Sequence, residues 1–221
     1  MPTTTLYLVR HGETDYNRQR IVQGRGIDAP LNATGRRQAE ALARRFAQIP
    51  LDALYSSPLQ RAAATAEAIR CYHPQVPFYL MKDLEEMGWG TLEGKPYAPP
   101  YAEQIDYAYA RWQAGEYGYR IPGGESILDV QQRALRALEQ ILEAQAGRTV
   151  LVVTHGRWLR ILLASILPAY GLARMEQLPH TNTAVNQIIY DGQSFRAVRL
   201  NCTAHLEELA VEDSVWTEVA A

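Results

Sequence analysis

Two short apolar runs in this chain end in the same way. Leu6-Tyr7-Leu8-Val9 runs into Arg10-His11-Gly12-Glu13-Thr14, and Thr149 to Thr154 (TVLVVT) runs into His155-Gly156, with Arg157 and Arg160 close behind. A neutral imidazole is a nucleophile, and phosphorus is an electrophile suited to it. A fixed cation beside it favours an anionic substrate, and Gly12 permits an unusual backbone angle and close approach of a ligand. Arg61 falls in the first turn of a helix expected to start at Ser57-Pro58, where free N–H groups already favour an anion. Glu85-Glu86 precedes Met87-Gly88-Trp89-Gly90, and a carboxylate beside Trp89 would have a raised pKa suited to proton transfer. Taken singly, each of these groups also fits a solvated loop or helix surface.

The elements that must position them follow from periodicity. Leu6–Val9 and Thr149–Thr154 are predicted as buried strands, Leu51–Tyr55 as a third, and Val185–Tyr190 and Phe195–Leu200 as later ones. Between them lie helical patterns. Ala39, Leu42, Phe46 and Ile49 share one face of a helix over Thr34–Ile49. An alanine-rich helix runs from Ser57-Pro58 to Ile69, and Ser126 with Asp129 reads as a capping box opening a long amphipathic helix. This alternation predicts an α/β fold of three layers, with a mostly parallel central sheet between helices. Ligands of such sheets sit beyond the carboxyl ends of the strands, where both His-Gly pairs fall. From Thr91 to Glu125 the chain carries six tyrosines, Trp112 and four prolines, and reads as a lid-like insertion, partly helical near Tyr101–Trp112, within a single domain over 1–221.

Read jointly, these blocks resemble those of the histidine phosphatase, or phosphoglycerate mutase-like, superfamily. Arg10-His11-Gly12-Glu13-Thr14 with Asn17 is similar to its RHGxTxxN signature, and Leu31-Asn32-Ala33-Thr34-Gly35 with Gln38-Ala39 to a second element. Ser56-Ser57-Pro58-Leu59 with Arg61-Ala62 and Thr65-Ala66, then Leu84 and Glu86 with Gly90 and Glu93-Gly94, follow in the family's order. Gly123-Gly124-Glu125-Ser126 and Val152-Val153-Thr154-His155-Gly156 complete the set. The resemblance implies that His11 attacks phosphorus and becomes a phosphohistidine, with one ring nitrogen held by a hydrogen bond and the other free. It implies that Arg10, Arg61 and His155 surround the phosphoryl oxygens, and that Asn17, Gln23 and Gly24 add neutral contacts. It makes Glu86, rather than Glu85, the proton donor and acceptor. Gly88 stands where relatives often carry a bulkier residue, so a wider pocket or a looser Glu86 is expected. His180 is read as a loop residue, His73 and His205 as structural or surface, and Cys71 as a helix-face residue.

Three other readings compete. Mutases of the family tend to be longer and carry an Arg-His-Tyr-Gly element after the acidic residue, which favours a net phosphatase over a phosphoglycerate mutase-type transferase. A metal-dependent hydrolase would lack His-x-x-x-His ligand spacing, and arginines beside both histidines repel a cation, so no metal and no cofactor are expected. A non-catalytic phosphometabolite-binding protein would need neither Glu86 nor an activated His11. The expected substrate is a small phosphorylated metabolite, and Lys95, Arg111 and Arg120 are candidates to bind a carboxylate or second phosphate on it. The 221 residues are 47% hydrophobic and 21% charged, with a formal net charge of −2. That balance argues against nucleic-acid and membrane partners. Two cysteines without metal spacing and no targeting segment suggest the cytoplasm. A homodimer is in keeping with the family.

Overall fold

A computed structural model describes residues 2–207 and 209. The chain runs β1 (Thr4–Arg10), α1 (Asp15–Arg18), α2 (Ala33–Phe46), β2 (Ala53–Ser56), α3 (Gln60–Arg70), β3 (Phe78–Leu80), α4 (Tyr101–Gln113), α5 (Ile127–Ala144), β4 (Thr149–Thr154), α6 (Gly156–Ile166), β5 (Val185–Tyr190) and β6 (Phe195–Cys202). The six strands form one sheet in the order β3-β2-β4-β1-β5-β6. Only β5 runs against the others, pairing antiparallel with β1 and β6.

Parallel strands covered on both faces read as unbroken apolar runs, because side chains alternate between two cores. Leu6 and Leu8 of β1 and Val150 and Val152 of β4 face a core shared with Val130, Ala134 and Ile141 of α5 and with Leu159 and Leu162 of α6. Val9, Leu151 and Val153 face the opposite core, against Leu42 and Phe46 of α2 and Ala62, Ala66 and Ile69 of α3. The expected three layers are therefore present.

Helix α5 starts as the capping box predicts: Ser126 Oγ accepts from Asp129 N at 3.2 Å, and the Asp129 carboxylate accepts from Ser126 N at 2.8 Å. Helix α3 does not start at Ser57-Pro58. It begins at Gln60 with Leu59 as its cap; the Ser57 hydroxyl accepts from Leu59 N at 3.3 Å and also engages a histidine. Segment 91–125 is helical over α4, whose Ile105, Ala108 and Trp112 are buried in the first core. Among the described residues, no helix is long and apolar enough to cross a membrane.

Candidate active site

Strand register brings the two His-Gly pairs together. β1 and β4 are parallel neighbours with Arg10 opposite Thr154, so the next residue of each strand is a histidine. His11 N donates to Thr154 O at 3.0 Å, and the His11 and His155 ring centroids lie 5.1 Å apart. On the other side of β4, Ser56 of β2 pairs with Val153, which sets Ser57 beside His155.

Each imidazole is oriented through one nitrogen. His11 Nδ1 lies 2.7 Å from the carbonyl of Gly12, an acceptor, so Nδ1 carries the proton and Nε2 keeps its lone pair. That carbonyl belongs to a peptide whose other end, Glu13 N, donates to Gln38 Oε1 at 2.9 Å. The preceding peptide is held by Thr65, whose hydroxyl accepts from Gly12 N at 3.0 Å and donates to Arg61 O at 2.7 Å. Gly12 has no room for a side chain, since a Cβ there would stand 2.5 Å from Gly35 O. His155 Nε2 is 2.8 Å from Ser57 Oγ.

The cations are oriented by backbone carbonyls. Arg10 Nη1 donates to His180 O at 2.8 Å, while Arg61 donates from Nη1 to Ile27 O and from Nη2 to Gly24 O at 2.8 and 2.9 Å. Among the described residues, five buried side-chain polar atoms have no hydrogen-bond partner in the protein: Gln23 Oε1, Arg111 Nε in the lid, and three nitrogens around His11, namely Arg10 Nε, Arg61 Nε and His155 Nδ1. Buried polar groups are otherwise nearly always satisfied, so these three nitrogens mark where an anion would be received. Burial pulls the Arg10 guanidinium down to about 10, still cationic at neutral pH. Burial, reinforced by Arg61 and Arg10, holds the His11 imidazole far below its usual range, and burial with Arg61 does the same to His155. Both rings are therefore neutral.

Glu86 approaches from a different element. Leu84 O accepts from the Thr154 hydroxyl at 2.6 Å, fixing this segment to the end of β4. Glu86 then caps α6: its carboxylate accepts from Arg157 N at 3.2 Å, Trp158 N at 3.1 Å and Met87 N at 2.9 Å. Glu85 points elsewhere, to Arg25. From behind, buried Arg133 donates to the carbonyls of Asp83, Glu85 and Glu86.

One cavity of about 150 Å³ is lined by Arg10, His11, Asn17, Gln23, Gly24, Arg61 and Glu86, with lid residues around them. Asn17 Oδ1 accepts from Thr14 N and from Asn182 Nδ2, both at 3.2 Å, leaving its amide N–H groups for the cavity. Gly24 has φ +66°, and a Cβ there would stand 2.0 Å from Glu93 Oε1, so the Gln23-Gly24 loop closes over the Glu93 carboxylate. His155 does not line the cavity itself and lies behind it, its ring 5.1 Å from that of His11. Seven of the eight expected residues thus converge on one cavity, from the end of β1, helices α1 and α3 and two loops, with His155 at the end of β4 beside them.

Several expectations are corrected. His180 is no bland loop residue: a Cβ on Gly156 would lie 2.5 Å from its Cδ2 and 2.9 Å from its Nε2, and its carbonyl holds Arg10. Burial, helped by Arg10, lowers its imidazole to about 2. Gly88 does not line the cavity; its N–H donates to Glu125 Oε2 at 2.7 Å on the far side of the segment, so it neither widens the pocket nor loosens Glu86. Lys95, Arg111 and Arg120 turn to Tyr101, Glu116 and Asp129 rather than inward. Arg133, Ser57 and Asn182 have positions that sequence reasoning missed. The signal for Arg133 is a charged residue on the apolar face of α5, beside Val130, Ala134 and Ala137. Among the described residues, no group of three His, Cys, Asp or Glu side chains could hold a metal ion.

Comparisons with known proteins place the chain in a family. The profile of the histidine phosphatase superfamily (branch 1) matches residues 6–203. The chain is 35% identical over 211 residues to a metal-independent phosphoserine phosphatase of Arabidopsis thaliana, covering 93% of this chain and 84% of that protein. Among solved structures, Bacillus stearothermophilus YhfR superposes with a TM-score of 0.83 at 37% identity, covering 92% of this chain and all of the other. A phosphoserine phosphatase from Entamoeba histolytica, solved with phosphoserine, gives 0.80 at 27% identity, over 92% of this chain and 99% of that one. With a matching profile over nearly its whole length and phosphatases among its relatives, the chain belongs to the histidine phosphatase superfamily and is a phosphoric monoester hydrolase.

Proposed function

We propose that the enzyme hydrolyses small phosphomonoesters, without a metal, through a phosphohistidine on His11. The observation that carries this reading is the placement of a neutral His11, oriented through Nδ1, on one cavity with Arg10, Arg61 and Glu86 and with the His155 ring 5.1 Å from its own. His11 Nε2 attacks phosphorus in line; the N–P bond forms as the ester P–O bond breaks. Glu86 passes a proton to the leaving oxygen. Arg10 Nε, Arg61 Nε and His155 Nδ1 donate to the equatorial oxygens, where charge accumulates in phosphoryl transfer. The Ser57 hydroxyl, donating to His155 Nε2, keeps the proton on Nδ1. Asn17, Gln23 and Gly24 line the path of the substrate. In the second half, Glu86 takes a proton from water as it attacks phosphorus, the P–N bond breaks, and inorganic phosphate leaves.

Phosphate release from a panel of esters, measured with chelator present for the wild type and His11→Ala, tests the proposal. Turnover in chelator that disappears in the variant is the expected result. Activity that survives His11→Ala, or that requires added metal, overturns it.

A further inference from the structure

The cavity changes character with distance from His11. Its inner end carries Arg10, Arg61 and Glu86, and among the described residues these are the only charged side chains that line it. Beyond His11, the neutral Asn17, Gln23 and Gly24 follow, and the remaining wall is Ile21, Val22, Trp89, Tyr97, Ile105 and Tyr109. Cations close by do not line the cavity, and Arg20 lies against Tyr97, 5.5 Å from its ring centroid. The Arg157 guanidinium lies behind the wall, 4.8 Å from the Tyr109 ring centroid and 5.7 Å from that of Trp89, and is paired with Glu176. Arg160 shares Glu176 and donates to Leu178 O at 3.1 Å. Arg25 pairs with Glu85 and Glu125. The wall is also braced: Trp89, Tyr109 and Trp112 contact one another edge-on or tilted, and Trp112 Nε1 donates to Tyr119 O at 3.0 Å.

Arg10 and Arg61 are needed for the phosphoryl oxygens, so a second anion on the substrate would meet at most the neutral Asn17 and Gln23 amides and would lose its water against a mostly apolar wall without gaining a counter-charge from the lining. An apolar group would instead exchange water for aromatic and aliphatic contact. At about 150 Å³ the cavity is below the ~300–1,000 Å³ usual for enclosing a drug-sized ligand, which limits that group to a small one.

Resting on the phosphatase reading above, we propose that the leaving group is a small, uncharged, apolar alcohol or phenol, and that the lid wall selects against esters bearing a second anion. This separates the chain from the phosphoserine phosphatases it resembles. The test compares kcat/KM for benzyl phosphate, phosphoserine and 3-phosphoglycerate at one pH with chelator present. Benzyl phosphate and phosphoserine both release a primary alcohol, so the comparison reads the wall rather than the intrinsic ease of departure. Benzyl phosphate should lead by about 10-fold or more, the discrimination available to an apolar pocket. Tyr109→Ala should shrink that lead mainly through KM, and Ile21→Ala provides the same reading should Tyr109→Ala fail to fold. Hydrolysis of all three esters with phosphoserine or 3-phosphoglycerate equal or ahead overturns the inference and leaves the phosphatase reading standing. Hydrolysis of none overturns both.

Discussion

Ser57 isolates the contribution of His155 without touching the phosphoryl-transfer groups themselves. Its hydroxyl lies 2.8 Å from His155 Nε2, and both residues are fully buried. Ser57→Ala removes the hydroxyl and leaves a buried ring nitrogen unsatisfied, which costs about 1–3 kcal/mol. For a chain of this size each kcal/mol lowers Tm by roughly 2–4 °C, so a fall of about 2–12 °C is expected. The chemical effect is separate. With the hydroxyl present, the His155 proton is directed to Nδ1, the atom that has no protein partner. Without it, both tautomers compete, and the donor to the phosphoryl oxygens is present only part of the time. Losing such a donor outright costs about 10²–10³-fold in kcat. Losing the group that orients a histidine costs about 10–100-fold, judging from ligand-orienting partners at metal sites. Phosphate release from benzyl phosphate, with thermal melting of each variant, measures both effects. Because Ser57 acts through His155, the double variant Ser57→Ala/His155→Ala should be no slower than His155→Ala alone. Losses that instead multiply, or a folded Ser57→Ala within twofold of wild type, refute the reasoning.

Acid should destabilise the fold. His11 and His155 are held neutral by burial, and His180 is lowered to about 2. Above about pH 6.5 neither state binds these protons; below it the unfolded chain does and the folded one does not, so stability falls by about 1.4 kcal/mol per pH unit for each imidazole. Burial raises the Glu93 carboxyl and works in the opposite sense, in a window that opens near pH 4.5. Denaturant midpoints at pH 7.5 and 5.5 check the balance, and a midpoint that does not fall at pH 5.5 contradicts it. Gly24→Ala forces a Cβ to 2.0 Å from Glu93 Oε1 at a positive φ, and should cost about 1–3 kcal/mol while displacing the carbonyl that holds Arg61. An unchanged melt and unchanged phosphate release would show that the loop relaxes freely. Arg157→Leu removes the guanidinium set among Trp89, Tyr109 and Trp112, a contact worth about 2 kcal/mol when desolvated, and should loosen the lid. Limited proteolysis should then cut within residues 91–125 faster than in the wild type; equal rates argue against the brace.

Local chemistry made much of this protein legible in its residues. Strands β4 and β5 fall where their apolar residues place them; for β4 this is because a strand buried on both faces tolerates little else. The Ser126–Asp129 box starts α5 because its side chains satisfy N–H groups only a few residues away. Arg10, His11, Glu86 and His155 were visible as chemistry-bearing types beside glycine or tryptophan at the ends of such elements. What those types do to one another was settled by tertiary structure. The helix expected at Ser57 starts at Gln60, and the serine hydroxyl, besides accepting from Leu59 N, meets His155, 98 residues away. His180 lies in a loop, and nothing local reveals its contacts, because the Gly156 it covers opens α6 and the Arg10 guanidinium it holds ends β1. The choice of His11 Nε2 as the free nitrogen rests on a carbonyl direction that Gln38 and Thr65 impose from two other helices. The character of the lid, apolar inward with its cations turned away, depends on where Glu116, Asp129 and Glu176 end up in space. Spacing along a chain reports periodicity and residue type; pairing across it depends on which strand ends the sheet order sets side by side, and that is decided when the two cores form.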